Sequence, residues 1–261
     1  MNTPDISRQG RLKAAACRLL KVHYYNDVFE VLARMRGPLR LLAPVLRRRA
    51  ETLLRNRTIL FIHVPKTSGV SIATALYGHR TSHASALFYR SSGLTTLETM
   101  ESFAILRDPV ERFLSAFWFV RNAGGGDTEV DPFFADDMKA IGSVDDLLAY
   151  LESRPRVYDL DYVLRPQAWF VTDRAGRILV DKLFILGAQQ SEIERYLTTH
   201  GATPLRVLNR TVKEPLSLTA AQIERIRRIY RQDFDLIDRL ASGGPQHSTT
   251  FTANPPREVS L

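Results

Sequence analysis

The sequence predicts an α/β protein with a mainly parallel central sheet flanked by helices, preceded by a basic helical N-terminal extension. Three observations predict it. Uninterrupted apolar runs at Thr58–Val64 and Phe103–Leu106 suit short strands buried on both faces. Each run hands over to a polar turn and then to a segment of helical period, the alternation expected of parallel strand–helix units. The 261 residues, 44% hydrophobic and 25% charged, suit one large globular domain with appendages and exclude a disordered, collagenous or coiled-coil chain.

The first 57 residues hold 13 Lys/Arg against 4 Asp/Glu, a net of +9 in a chain whose total is +8. Arg47, Arg48 and Arg49 interleave with Leu41, Leu42, Val45, Leu46, Leu53 and Leu54, the pattern of a basic amphipathic helix, and Gly37-Pro38 breaks the helical pattern before it. Packed on the domain, such a helix presents a solvated basic face; left open, it offers contact to an anionic membrane surface or an anionic polymer. No aromatic stacking pattern or reading motif accompanies the charge, so nucleic acid is not an expected partner.

Thr58–Val64 ends at Pro65, and a helix is expected from about Val70 to Leu76. Phe103–Leu106 ends at Arg107; Pro109 suits a first helical position with Asp108 as its cap, and the helix should run to about Arg121. Gly124-Gly125-Gly126 reads as a mobile loop opening an acidic stretch of Asp127, Glu129, Asp131, Asp136, Asp137, Asp145 and Asp146. Ser143–Glu152 has the pattern of a capped helix. Ile178–Val180 and Leu183–Leu186 are strand candidates. Ser191 with Glu194 predicts a capping box and a helix to about Thr199, and Thr219 with Gln222 predicts another. The last helix sets Ile223, Ile226, Tyr230, Phe234 and Ile237 on one apolar face. The expected organisation is an extension over 1–57, an α/β domain over 58–241 and a disordered Ser/Thr/Gly/Pro-rich tail over 242–261.

A single cysteine, Cys17, excludes an intrachain disulfide and a cysteine-based zinc cluster, and no metal is expected. No charge-free apolar run reaches the roughly 18 residues of a membrane span. Arg18 and Lys21 interrupt the apolar stretch Ala14–Leu20, which makes a poor signal peptide. A cytoplasmic protein is expected, with peripheral membrane contact through the basic segment as a variant.

The chemistry concentrates at Phe61–Ile72, FIHVPKTSGVSI. A buried strand feeds a short loop that opens a helix, whose N-terminus offers N–H groups and the positive end of a dipole. Lys66 adds a point charge, Thr67, Ser68 and Ser71 add hydroxyls, and Gly69 permits close approach of a ligand, a combination suited to phosphate or sulfate. A nucleoside-triphosphate loop needs glycines where this chain has Leu60 and Pro65, so a magnesium-dependent triphosphate site is poorly supported. Arg107 ends the second strand, at the strand end where open α/β sheets bind ligands. Arginine grips phosphate bidentately, and Ser115 in the following helix could join it. The plainer alternative pairs Arg107 with Asp108 or Glu111 and buries Ser115.

Together these elements resemble the sulfotransferases that use 3′-phosphoadenosine-5′-phosphosulfate (PAPS), in particular the carbohydrate-type group with the heparan sulfate 2-O- and 6-O-sulfotransferases and bacterial relatives. The family's Pro-Lys-Thr-x-Gly-x-Ser loop is matched by Pro65, Lys66, Thr67, Gly69 and Ser71, and its Arg-[Asn/Asp]-Pro-x-x-Arg…Ser motif by Arg107, Asp108, Pro109, Arg112 and Ser115. Weaker likenesses are His83-Ala84-Ser85-Ala86, Arg165-Pro166-Gln167 and Leu208-Asn209-Arg210-Thr211. The resemblance implies a P-loop-like sulfotransferase fold and transfer of a sulfuryl group from PAPS, without a metal, to a hydroxyl of a carbohydrate or glycoconjugate. It implies that Pro65, Lys66, Thr67, Ser68, Gly69, Val70 and Ser71 hold the 5′-phosphosulfate, that Arg107 and Ser115 hold the 3′-phosphate, and that Asn209 and Thr211 add to the donor site. Lys66 is assigned to the leaving oxygen. Of the six histidines, His79 and His83 lie between the two motifs, and His83 is favoured as base because it falls in the family-like His83–Ala86 stretch, with His79, Glu111 and Glu98 behind it. The competing readings are a P-loop-type nucleotide kinase or NTPase and a noncatalytic nucleotide- or membrane-binding module.

Overall fold

A computed structural model describes residues 8–35, 43–125, 128–129, 132–205 and 216–242. Helices α1 (Arg8–Leu20), α2 (Tyr25–Arg34) and α3 (Ala43–Leu54) lead to strand β1 (Leu60–Ile62) and helix α4 (Gly69–Tyr77). Helices α5 (Ala86–Ser91) and α6 (Thr96–Thr99) precede β2 (Ser102–Leu106) and α7 (Pro109–Arg121). A hairpin of β3 (Gly124–Gly125) and β4 (Thr128–Glu129) follows, then α8 (Pro132–Lys139), α9 (Val144–Glu152) and α10 (Gln167–Val171). Strand β5 (Lys182–Ile185), α11 (Gln190–Thr199), α12 (Ala220–Ile229) and α13 (Arg231–Ala241) complete the described chain.

The central sheet is parallel in the order β1–β2–β5, with Leu60 opposite Ser102, Ile62 opposite Ala104 and Leu106 opposite Ile185. Alternate residues face opposite layers. Leu60, Ile62, Ala104, Leu106 and Leu183 pack with Phe29 of α2, Leu46, Ala50 and Leu54 of α3, and Leu236 of α13. Phe61, Phe103, Ile105 and Phe184 pack with Ile72 of α4 and Ile193 and Leu197 of α11. Helices on both faces explain why the strands read as continuous apolar runs. A third cluster joins α7, α8, α9 and α12 around Phe113, Phe117, Leu147 and Ile226.

The basic segment holds buried acids. Asp27 on α2 and Arg165 form a bidentate ion pair, 2.7 Å at each contact, with both side chains out of water. Burial disfavours the Arg165 charge, but the hydrogen bonds and charge of Asp27 outweigh it and raise its pKa. Glu30, one helical turn on, accepts the Ser85 N–H at 2.7 Å and the Ser85 hydroxyl at 2.6 Å, and it pairs with Arg34.

Five sequence expectations change. The Thr58–Val64 run contributes only Leu60–Ile62 to the ladder. Ile178–Val180 forms no ladder strand; Ile178 makes one antiparallel bridge to Thr172. Ser191 caps nothing: α11 starts at Gln190, and the Gln189 side chain accepts the Ile185 N–H at 2.8 Å. The last helix is two helices that meet at Tyr230, whose hydroxyl donates to the Leu164 carbonyl at 2.8 Å. Gly124 and Gly125, expected in a loop, pair with Thr128 and Glu129, while Gly126 and the tail from 243 lie outside the described residues. The capping boxes Ser143/Asp146 and Thr219/Gln222 are both present. No described helix is long and apolar enough to cross a membrane.

Candidate active site

The chain leaves β1 through His63, which is buried with its ring against Gly69. A Cβ on Gly69 would lie 2.0 Å from His63 Cδ2, so this helix start admits only glycine unless the ring moves. Lys66 and Ser68 adopt φ of +70° and +64°, and Thr67 between them does not. Alternating the sign of φ turns successive N–H groups toward one concavity, an anion nest. The nest runs into the N-terminus of α4, where the Ser68 side chain makes no capping bond and the helix itself supplies no acceptor for its first N–H groups. The Thr67 hydroxyl turns inward and donates to the Val64 carbonyl at 2.9 Å, closing the loop. It is a loop fastener, which corrects its expected use as a ligand donor; its backbone N–H remains part of the nest.

Helix α7 braces this loop from the neighbouring strand. Arg112 is fully buried, and its Nε donates to the Pro65 carbonyl at 3.0 Å and its Nη2 to the Val163 carbonyl at 3.2 Å. Burial lowers its pKa, with Asp233 and Tyr230 opposing. Lys66 Nζ sits 4.4 Å from the centroid of the Phe119 ring, also on α7. Residues 112, 115 and 119 lie on one helix face at spacings of three and four, so the buried Ser115 shares the stripe that meets the Lys66 loop.

Arg107 leaves β2 at the same carboxyl edge. The side-chain amide of the buried Gln167 accepts the Arg107 N–H at 2.9 Å and donates to the Arg107 carbonyl at 2.8 Å, acting as one more strand neighbour. Gln167 is held in turn: its N–H and that of Ala168 donate to the buried Asp233 carboxylate at 2.9 and 2.8 Å. Burial raises the Asp233 pKa, against the pull of Arg112 and these N–H groups. The Arg107 guanidinium donates from Nε and Nη2 to one oxygen of Glu111 at 3.1 and 3.0 Å. The local pairing weighed from the sequence is therefore present, and Asp108 caps α7 through the Glu111 N–H at 2.9 Å.

His83 hangs from the first strand's exit. Its Nδ1 lies 2.9 Å from the His63 carbonyl, and a carbonyl only accepts, so Nδ1 carries the hydrogen and Nε2 the lone pair. Its ring lies tilted against those of His63 and Tyr162, with centroids 4.2 and 5.5 Å away. Burial lowers its pKa; the His63 carbonyl and Asp161 oppose this, and Arg165 and Arg112 add to it. Two residues on, Ser85 is the residue held by Glu30 of α2. His63 is also lowered, well below the ordinary imidazole value, by burial and then by His83. The other histidines are placed elsewhere: His79 is exposed with Nδ1 2.8 Å from the Arg80 carbonyl, His23 stacks on Phe133, and His200 ends α11. His247, Asn209 and Thr211 lie outside the described residues, as does the side chain of Glu98.

Sequence reasoning missed Arg112 and Gln167 as the two braces, although both stand inside quoted signature strings. It also missed Asp27 and Glu30. Their signal was present: two acids three residues apart in a segment otherwise almost wholly basic. Among the described residues no group of three or more His, Cys, Asp or Glu is arranged to hold a metal ion.

The loop after β1 and Arg107 after β2 thus lie at the carboxyl ends of adjacent parallel strands, the edge at which open α/β sheets bind ligands. Residues 52–238, from the last turn of α3 to within α13, match the Sulfotransferase family, and the chain belongs to that family. No curated protein and no solved structure matches the chain.

Proposed function

We propose that the protein is a PAPS-dependent O-sulfotransferase acting on a hydroxyl of a carbohydrate or glycoconjugate. The observation that carries this reading is the pairing of the 65–69 nest with Arg107 on adjacent parallel strands, bolted together by the Arg112–Pro65 bond. The donor fits the residues present, because the nest and the α4 N-terminus suit a 5′-phosphosulfate and Arg107 with Ser115 suits a 3′-phosphate. PAPS would supply a sulfuryl group whose bond to the bridging oxygen breaks as the acceptor oxygen bonds to sulfur, releasing 3′,5′-adenosine bisphosphate. The chain does the rest by positioning and electrostatics. Lys66 stabilises negative charge on the departing bridging oxygen. His83 Nε2 takes the acceptor proton, which its neutral ring and fixed tautomer prepare it to do.

The acidic segment is compatible with a neutral or lightly charged acceptor. Asp137 pairs with Arg154, Asp145 with Arg225 and Asp136 with Lys139, so these carboxylates are answered locally. A cytoplasmic site of action goes with this reading. A nucleotide kinase is disfavoured by Leu60 and Pro65 at the glycine positions of a triphosphate loop.

Calorimetry tests the donor assignment. The protein should bind 3′,5′-adenosine bisphosphate at least about a hundredfold more tightly than 5′-AMP, the scale of two charge-assisted hydrogen bonds. Arg107→Ala should erase most of that difference. Equal affinities in the wild type overturn the reading, and magnesium-dependent ATP turnover would favour the kinase.

A further inference from the structure

The outer face of α1 takes no part in the chemistry above. Its inner side packs on α2, where Ala16, Cys17 and Leu20 are half-buried and Lys13 Nζ lies 5.2 Å from the Tyr25 ring centroid. On the opposite side Leu12 and Leu19 are 64% and 82% exposed, two helical turns apart, with the exposed Ala15 between them. Arg11 and Arg18, also exposed and seven residues apart, run along one flank of this apolar stripe. Residues 8–21 contain five Lys/Arg and no Asp/Glu. The segment Ala43–Leu54, for which the sequence offered both packing on the domain and an open basic face, packs on the domain: Leu46, Ala50 and Leu54 are buried in the cluster that holds Leu60 and Ile62 of the sheet.

We propose that α1 docks on the surface of an anionic lipid bilayer, with Leu12, Ala15 and Leu19 at the acyl boundary and Arg11, Arg18 and Lys21 among the headgroup phosphates. Both halves of the face select this partner. An anionic polymer answers the charge but leaves the leucines in water. A second copy of the chain answers the leucines but sets two uniformly basic helices against each other. An anionic bilayer answers both. Thirteen residues span about 20 Å, too short to cross and suited to lying flat.

The test is co-sedimentation of the full chain with vesicles of phosphatidylcholine, with and without phosphatidylserine. Binding is expected only to the anionic vesicles. Arg11→Gln and Arg18→Gln should each weaken it about fivefold, and Leu12→Ser and Leu19→Ser each by about tenfold or more. All four side chains are exposed, so melting temperature and affinity for 3′,5′-adenosine bisphosphate should stay at wild-type values. Failure here therefore leaves the donor-site reading untouched. Absence of vesicle binding overturns the proposal. So does binding that the arginine variants weaken and the leucine variants do not, which marks an anionic-polymer surface. Concentration-dependent dimers that Leu12→Ser or Leu19→Ser dissolves also overturn it, in favour of self-association.

Discussion

Asp27→Asn should destabilise the protein by about 3–5 kcal/mol, the cost of breaking a buried ion pair by removing one partner. Asp27 and Arg165 are both fully buried and joined by two 2.7 Å contacts. Arg165 Nε is already committed to the Leu160 carbonyl at 3.0 Å, so Nη1 and Nη2 depend on the carboxylate. Asparagine can accept from one of them, but its amide hydrogens then confront the other donor, and the positive charge stays in the core with no counterion. Tyr162, whose hydroxyl reaches Asp27 at 3.3 Å, loses part of its anchor too. At about 2–4 °C per kcal/mol for a chain of this size, the melting temperature should fall by roughly 6–20 °C. Thermal and urea unfolding read the change, and a double replacement, Asp27→Leu with Arg165→Met, should recover much of it because the uncompensated charge is gone. A single-variant loss below about 1 kcal/mol refutes the reasoning: α2 would then not be closed onto the Arg165 segment, and the domain would not need it.

Three further outcomes are expected. Gly69→Ala should cost about 1–3 kcal/mol in unfolding experiments, because the new methyl group displaces the His63 ring; unaltered stability removes that contact. His83→Ala should lower turnover by about 10²–10⁴-fold with affinity for 3′,5′-adenosine bisphosphate kept. Burial lowers the His83 pKa, so the acid limb of kcat/KM in the wild type should lie below the ordinary imidazole value of 6.5; a limb above it assigns the base elsewhere. Stability should also fall as pH drops below 6.5. His63 is neutral in the folded protein with its pKa well below that value, whereas the unfolded chain takes up the proton there. Each such histidine contributes up to about 1.4 kcal/mol per pH unit down to its folded-state pKa, so His63→Gln should make the slope shallower and leave the share of His83, whose pKa burial also lowers.

The strands and the two motif loops were legible because their signals are local. A strand covered by helices on both faces reads as an apolar run, and a loop that opens a helix carries its glycine and cap in sequence. Thr219 and Gln222 announced their capping box for the same reason. Long-range bonds were not legible. Nothing near Asp27 announces Arg165, 138 residues away, and nothing near Gln167 announces that its amide continues β2. Local pattern also misled where a distant or competing bond decided the outcome. Ser191 and Glu194 have the spacing of a box, but the Gln189–Ile185 bond starts the helix earlier. Apolar period runs on through Tyr230, but its hydroxyl is drawn to Leu164, and the helix divides there. Thr67 had the chemistry of a ligand donor, and the Val64 carbonyl took its hydroxyl first.

The Arg107–Glu111 pair bears on how the pocket fills. The carboxylate is 62% exposed while the guanidinium is only 19% exposed, so the two partners stand unequally toward water. Under the proposed function an arriving phosphate would perform an exchange, inheriting a guanidinium already held by a carboxylate, over a backbone that Gln167 pins through both its N–H and its carbonyl. The displaced carboxylate rehydrates where it stands, and the surrendered surface contact was worth no more than about 1 kcal/mol. On that reading Glu111 would serve as a placeholder for the phosphate on Arg107.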